Sequence, residues 1–230
     1  MDSINSQRPD AAAAQPFVTL QSDYLSVLKY YRRAYRAVID CGNASVSAHC
    51  RSTLNELDKL IDDPFTVLPV DATYLPVCRY LDPSLRIAKQ GPFSGLATQL
   101  SLISPYLQWE YGYADMPEHL RHSFAYTEIA GEQSQIKSKE LAIGLVLFGP
   151  GCVYPPHGHP GITESYLVLS GTVSQNDFGI FGPGSLIFNP PSREHTITVD
   201  AMSPALLAYA WTAETGVLAT NEMTLNLPGS

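Results

Sequence analysis

Two different periods of apolar residues divide the chain. From Tyr24 to Ile39, Tyr24, Leu28, Tyr31, Tyr35 and Val38 recur at steps of three and four, which predicts an amphipathic helix. A second helix is expected from about Ser45 to Ile61, with Leu54, Leu57 and Ile61 on one stripe and Asp63-Pro64 as the stop. A third covers about Phe93 to Leu107, ending near Ser104-Pro105. Between them, the proline-punctuated stretch from Pro64 to Pro83 reads as extended pieces or loops.

Past about Ser123 the texture changes. "LAIGLVLF", "ESYLVLSG", "GSLIFNPP", "EHTITV" and "ALLAYAWTAE" are short apolar or alternating runs, divided by Gly, Pro and Asn. Several short strands at such spacing predict an antiparallel sandwich or barrel. The expected fold class is therefore α+β, mainly β. It comprises a lead-in at 1–16, a mainly helical region at 17–122 and a β-barrel at 123–230, with the helices packed outside the barrel.

Composition narrows what such a chain does. A hydrophobic fraction of 45% over 230 residues is enough for a substantial core. The formal net charge of −8 argues against binding nucleic acid through phosphate neutralisation. Four cations in Lys29 to Arg36 fit the wet side of a helix. No apolar run approaches the ~20 residues of a membrane span. "MDSINSQRPDAAAAQP" lacks the cationic start and apolar block of a secretory signal, so a cytoplasmic protein is expected. Cys41, Cys50, Cys78 and Cys152 form no C-x-x-C pair and read as free or buried thiols.

The candidate chemistry lies in "GCVYPPHGHPGITESYLVLSG", Gly151 to Gly171. His157 and His159 are two apart and project to one side of an extended chain. Pro160-Gly161 then turns it, and Glu164, Tyr166 and Val168 share a face of the next strand. His195 follows a Pro-Pro turn in "NPPSREHTI". Two or three imidazoles with one carboxylate suit a divalent ion such as Zn, Mn or Fe. His119 and His122, flanking "LR", are expected at the surface or an interface.

The series from Gly151 through His157, His159 and Glu164 to Gly171 resembles the first motif of the cupin superfamily. Gly184, Pro190 and His195 resemble its second, with Ser192 in place of the usual glycine and Val199 in place of the usual asparagine. The resemblance implies a single-cupin, jelly-roll barrel (a double-stranded β-helix) holding one metal ion through His157, His159, Glu164 and His195.

With Tyr154 ahead of the histidines and Tyr166 after the glutamate, the pattern is similar to that of the cupin-type dimethylsulfoniopropionate (DMSP) lyases, closest in length to the DddL kind. That resemblance implies metal-dependent cleavage of a small zwitterionic sulfonium acid to dimethyl sulfide and acrylate, begun by a tyrosine base. Tyr166 shares a strand face with Glu164 and is the first choice; Tyr154 is the alternative base or a substrate-positioning group. A sulfonium offers no hydrogen-bond donor and calls for aromatic walls. Trp211 and Tyr209 share a face for that role; Trp109, Tyr111 and Tyr113 read first as core aromatics, with the mouth of the barrel as the alternative place for them. The resemblance also allows a homodimer. An iron-dependent cupin oxygenase acting on a small thiol or diketone, and a non-catalytic binding cupin, use the same ligands.

Overall fold

The computed structural model describes residues 17–113 and 116–220. The expected lead-in at 1–16 and the last ten residues of the expected barrel region lie outside them. Helix α1 (Phe17–Val38) buries Tyr24, Val27, Leu28, Tyr31, Ala34, Tyr35 and Val38, the stripe expected from their spacing. Three of these are tyrosines whose hydroxyls cross into the β-region. Tyr24 donates to Gln135 Oε1 at 2.6 Å and Tyr31 to Gly144 O at 2.6 Å, while Tyr35 shares a 2.7 Å bond with Ser165 Oγ. Each ring brings apolar area and each hydroxyl finds a partner, which is what burial of a tyrosine requires.

Helix α2 (Ala44–Asp62) is capped by the Asn43 side chain, which accepts from the backbone of Ser45 and Val46. Its polar side meets α1 through Arg32 and Asp58, 2.7 Å apart. The expectation for Pro64 to Pro83 is corrected at its end. Pro76–Tyr80 forms a 3-10 turn that leads into α3 (Leu81–Ala88). Pro83 lies in the first turn of α3, where a missing N–H breaks no intrahelical bond, so it does not end the helix. Helix α4 (Ser94–Ile103) follows, with a 3-10 turn at Ser104–Tyr106 replacing the last residues of the expected helix. The four-residue α5 (Glu118–Arg121) precedes the strands. No helix among the described residues is long and apolar enough to cross a membrane.

Among the described residues, ten strands make two sheets. They are β1 (Phe124–Gly131), β2 (Ile136–Lys137), β3 (Leu141–Phe148), β4 (Val153–His157), β5 (Thr163–Ser170), β6 (Val173–Gln175), β7 (Ile180–Phe181), β8 (Leu186–Asn189), β9 (His195–Val199) and β10 (Ala205–Thr212). The larger sheet runs β2-β1-β3-β10-β5-β8 and the smaller β4-β9-β6-β7, antiparallel throughout except for the β1–β2 pair. This is a jelly-roll barrel.

Period two explains both of its cores. In β3, Leu141, Ile143, Leu145 and Leu147 join the helices in one buried cluster, while Ala142, Val146 and Phe148 face the barrel interior in another. An unbroken apolar strand is what a sheet covered on both faces demands. Strand β10 divides likewise, with Leu206, Ala208 and Ala210 outward and Leu207, Tyr209 and Trp211 inward. Gly144 breaks the interior row because a Cβ there would lie 1.9 Å from Thr127 O and 2.8 Å from the Tyr209 ring.

On the outer face, His49 of α2 bridges Ser165 Oγ (2.7 Å) and Thr212 Oγ1 (3.1 Å), directly behind the inward residues of β5 and β10. The helices thereby hold the strands that carry the candidate site.

Candidate metal centre and active-site cavity

The two ends of the opening hairpin motif turn as its glycines suggest. Gly151 and Gly171 adopt φ of +69° and +79°, conformations that cost a side chain strain. At Gly171 a Cβ would also meet Pro204 O at 2.2 Å. Ser192, standing where the second cupin motif has glycine, takes the left-handed φ of +63° as well, and its N–H donates to His159 O at 3.1 Å. The histidine-bearing segments are joined there by backbone.

His157 and His195 are cross-strand partners on β4 and β9, with ring centroids 4.1 Å apart. His159 follows β4, and candidate ligand nitrogens of the three imidazoles all fall within 4.8 Å of one another. Glu164 arrives from β5 in the other sheet. Its Oε2 is 3.0 Å from His195 Nε2 and its Oε1 3.8 Å from His159 Nε2. All four side chains are buried.

Their outer partners set the direction of each ligand. His157 Nδ1 lies 2.8 Å from Pro155 O and His195 Nδ1 3.1 Å from Arg193 O. Donation to those carbonyls leaves each Nε2 with its lone pair free. Glu164 is held on both sides. Trp211 Nε1 donates to Oε1 at 2.6 Å from β10, and Asn189 Nδ2 donates to Oε2 at 2.9 Å from β8. Gln175 Nε2 in turn donates to Asn189 Oδ1 at 2.7 Å. Asn189 and Gln175 escaped the sequence reading; the former had a signal, as the polar residue two after Ile187 on the inward face of β8.

The donor set fits a divalent cation. His159 Nε2 and His195 Nε2 are buried and have no hydrogen-bonding partner; the 3.0 Å approach of Glu164 to His195 lacks hydrogen-bond geometry. Burial, then the neighbouring His195, hold the His157 imidazole down at about 3, and burial likewise lowers His159. Both are therefore neutral, as ligands must be. Glu164 would be raised by burial, but the adjacent His195 and the other imidazoles bring it below the ordinary carboxylate range. At His195 burial is outweighed by Glu164, which raises it. A buried carboxylate among buried imidazoles is an anion arranged for a positive charge.

A cavity of about 660 Å³ opens on these groups, with His157, His159, Glu164, Tyr154, Tyr166, Tyr209 and Trp211 in its wall. Tyr166 sits two residues beyond Glu164 on the same face of β5, opposite Tyr209 on β10. Burial first, then the Glu164 charge, push its phenol well above the usual value. Tyr154 packs flat against Phe124 (ring centroids 4.4 Å) and edge-on to His157 (4.5 Å), and its hydroxyl bonds that of Tyr113. Trp211 stands 4.5 Å from the His159 ring.

Of Trp109, Tyr111 and Tyr113, the last meets a candidate site residue, Tyr154. Trp109 is a core aromatic, buried in the cluster shared with the helices. Its flanks Gln108 and Glu110 line the cavity. Tyr111 instead donates to Arg121 O at 2.8 Å. His119 and His122 are exposed, as expected.

Fold and side chains together define a cupin with a buried three-histidine cluster. Residues 48–207 match the sequence model of the dimethylsulfoniopropionate lyases. A curated protein of Cereibacter sphaeroides, provisionally named dimethylsulfoniopropionate lyase DddL, is 36% identical over 207 residues, 90% of this chain and 86% of that protein. The chain belongs to the DMSP lyase family, a family of carbon–sulfur lyases. Two solved structures share the fold. DMSP lyase DddQ from Ruegeria pomeroyi matches with a TM-score of 0.62 at 19% identity, covering 91% of this chain and 98% of that one. A chain from a study of the DMSP lyases RdDddP and RnDddQII gives 0.61 at 21%, covering 86% and 95%.

Proposed function

We propose that this chain cleaves DMSP to dimethyl sulfide and acrylate by β-elimination, using one divalent metal ion held by His157, His159, His195 and Glu164. Family membership supports the reaction class. The observation that carries the residue assignment is the placement of Tyr166 beside Glu164 on one inward strand face, in a cavity that also exposes His157 and His159.

The difficulty of the reaction lies in removing a proton next to a carboxylate, since the carbanion would add a second negative charge. When bound, the metal supplies Lewis-acid charge that offsets this and lowers the cost of ionising a nearby phenol, which unaided is ~3–4 kcal/mol at neutral pH. Tyr166 Oη takes the α-proton. The C–H electron pair becomes the new C=C bond, the C–S bond breaks, and its electrons leave on neutral dimethyl sulfide. The phenol then returns its proton to water, so no oxidant or reductant is consumed. Tyr154, tied to Tyr113, positions substrate or stands as the alternative base. Trp211 and Asn189 keep the Glu164 carboxylate oriented between them, and the aromatic walls exclude water.

The test is a headspace assay for dimethyl sulfide with parallel detection of acrylate, with metal and with chelator. Equimolar products that vanish on chelation and return with metal support the reading. Full turnover in metal-stripped protein overturns its metal step, and no product from metal-loaded protein overturns the reaction.

A further inference from the structure

The cavity continues well past the histidines, and its far wall has a chemistry of its own. Glu128, Gly144, Tyr209 and Tyr166 form one cross-strand row on the inner face of the large sheet. Glu128 on β1 is three strands from Tyr166 on β5, or ~14 Å between backbones at the usual strand spacing. The missing side chain at Gly144 lets the Tyr209 ring reach over β3 towards β1. Tyr209 is 3% exposed and lines the cavity. Tyr126 lines the same end, its hydroxyl 3.4 Å from Glu110 Oε2. Among the described residues of the whole cavity wall there are several carboxylates and neither lysine nor arginine.

We propose that Tyr126, Glu128 and Tyr209 form a subsite for the cationic end of a zwitterionic substrate, a small carboxylic acid bearing a sulfonium or quaternary ammonium group. This deepens the preceding reading and rests on its substrate class. A wall without cations offers the substrate carboxylate no partner of opposite charge except at the metal-ligand end. An onium group cannot accept or donate a hydrogen bond; it is recognised by aromatic faces and by fixed negative charge. Those are what the β1 end supplies. The substrate therefore lies along the row, carboxylate towards the histidines and onium towards β1.

The state of Glu128 agrees. Burial pushes its carboxyl up to about 7, against the opposing pull of Ser134 and Lys137, with Glu110 and Glu132 adding to the rise. Lys137 is itself engaged with the Glu132 carbonyl at 2.9 Å. No close ion pair holds that carboxyl among the described residues, and an arriving onium group favours its ionised form over the protonated one.

The experiment is calorimetric titration of the metal-loaded protein with β-alanine betaine and with the isosteric acid carrying tert-butyl in place of trimethylammonium. Wild type should prefer the betaine by ~10-fold or more, as expected for a desolvated charge contact. E128Q should erase most of that preference while binding the neutral acid within ~2-fold of wild type. Tyr209→Leu, measured on the same pair, should also narrow the gap and guards against poor folding of the first variant. An undiminished preference in both variants overturns the subsite. Because the readout is binding, the two proposals fail separately. Loss of preference without any dimethyl sulfide production sinks the reaction and leaves the subsite; normal elimination with preference retained in both variants does the reverse.

Discussion

The indole N–H of Trp211 and the carboxylate of Glu164 meet at 2.6 Å across paired positions of β10 and β5. The contact turns a residue expected to form an aromatic wall into the orienter of a candidate metal ligand. Trp211→Phe keeps an aromatic ring but deletes the donor. Outer-sphere partners of this kind typically govern metal affinity by ~10–100-fold. A chelator-competition titration should show weakening of at least ~10-fold in the variant. Unchanged affinity would mean that Asn189 alone suffices to hold the carboxylate.

Removing an imidazole should be more damaging than removing the orienter. His157→Ala, His159→Ala and His195→Ala each leave an incomplete set, and elemental analysis should find little metal after dialysis. Glu164→Ala should reduce occupancy less than loss of a histidine, because three nitrogens remain clustered. Metal should also raise the melting temperature of wild type, by an amount that grows with the logarithm of its concentration over the dissociation constant. A wild type that melts at one temperature with and without divalent ions would contradict a native metal centre.

The two tyrosines can be separated. Tyr166→Phe removes the hydroxyl beside Glu164 and should lower turnover by ~100-fold or more with metal content intact. Tyr154→Phe breaks the hydroxyl pair with Tyr113, and is expected to act more through KM. If the two effects are exchanged, Tyr154 is the base. Tyr113→Phe should follow whichever role Tyr154 has, since the hydroxyl it removes is the one bonded to Tyr154.

The sequence carried the barrel and its ligand cluster because both rest on local rules. Histidines two apart project together, Glu164 and Tyr166 share a face, and β3 is apolar throughout because it is covered on both sides. What stayed hidden depends on partners remote in the chain. Asn189 and Gln175 earn their position only when β8 is paired with β5 and β6 lies in the opposite sheet. Helix α3 was masked by Pro83, whose meaning depends on whether it falls in the first turn or later. For Trp109 core and mouth both stayed open, because its strand-like segment has no periodic neighbours to fix which way its side chain points. The polar span from Tyr35 through Ser165 to His49 joins three separate elements and has no sequence signature at all.

His49 gives the stability of the protein a specific acid sensitivity. Its ring is buried between α2 and the strands, bonded to Ser165 and Thr212, and burial lowers it from 6.5 to about 4 despite the opposing Glu164 charge. The unfolded chain therefore takes up a proton near pH 6.5 that the folded chain refuses until about pH 4. The stabilisation is fully present above the unfolded value and is lost progressively as pH falls through that window, amounting to roughly 3 kcal/mol in all. His49→Gln cannot titrate, so it should be less stable at neutral pH through imperfect hydrogen bonding, yet lose less on acidification. Urea midpoints at about pH 7 and about pH 5 should show wild type losing about 2 kcal/mol more than the variant. The difference between proteins isolates His49 from His157, which is depressed in the same direction. Parallel losses in the two proteins would show that the imidazole is not kept neutral by the fold.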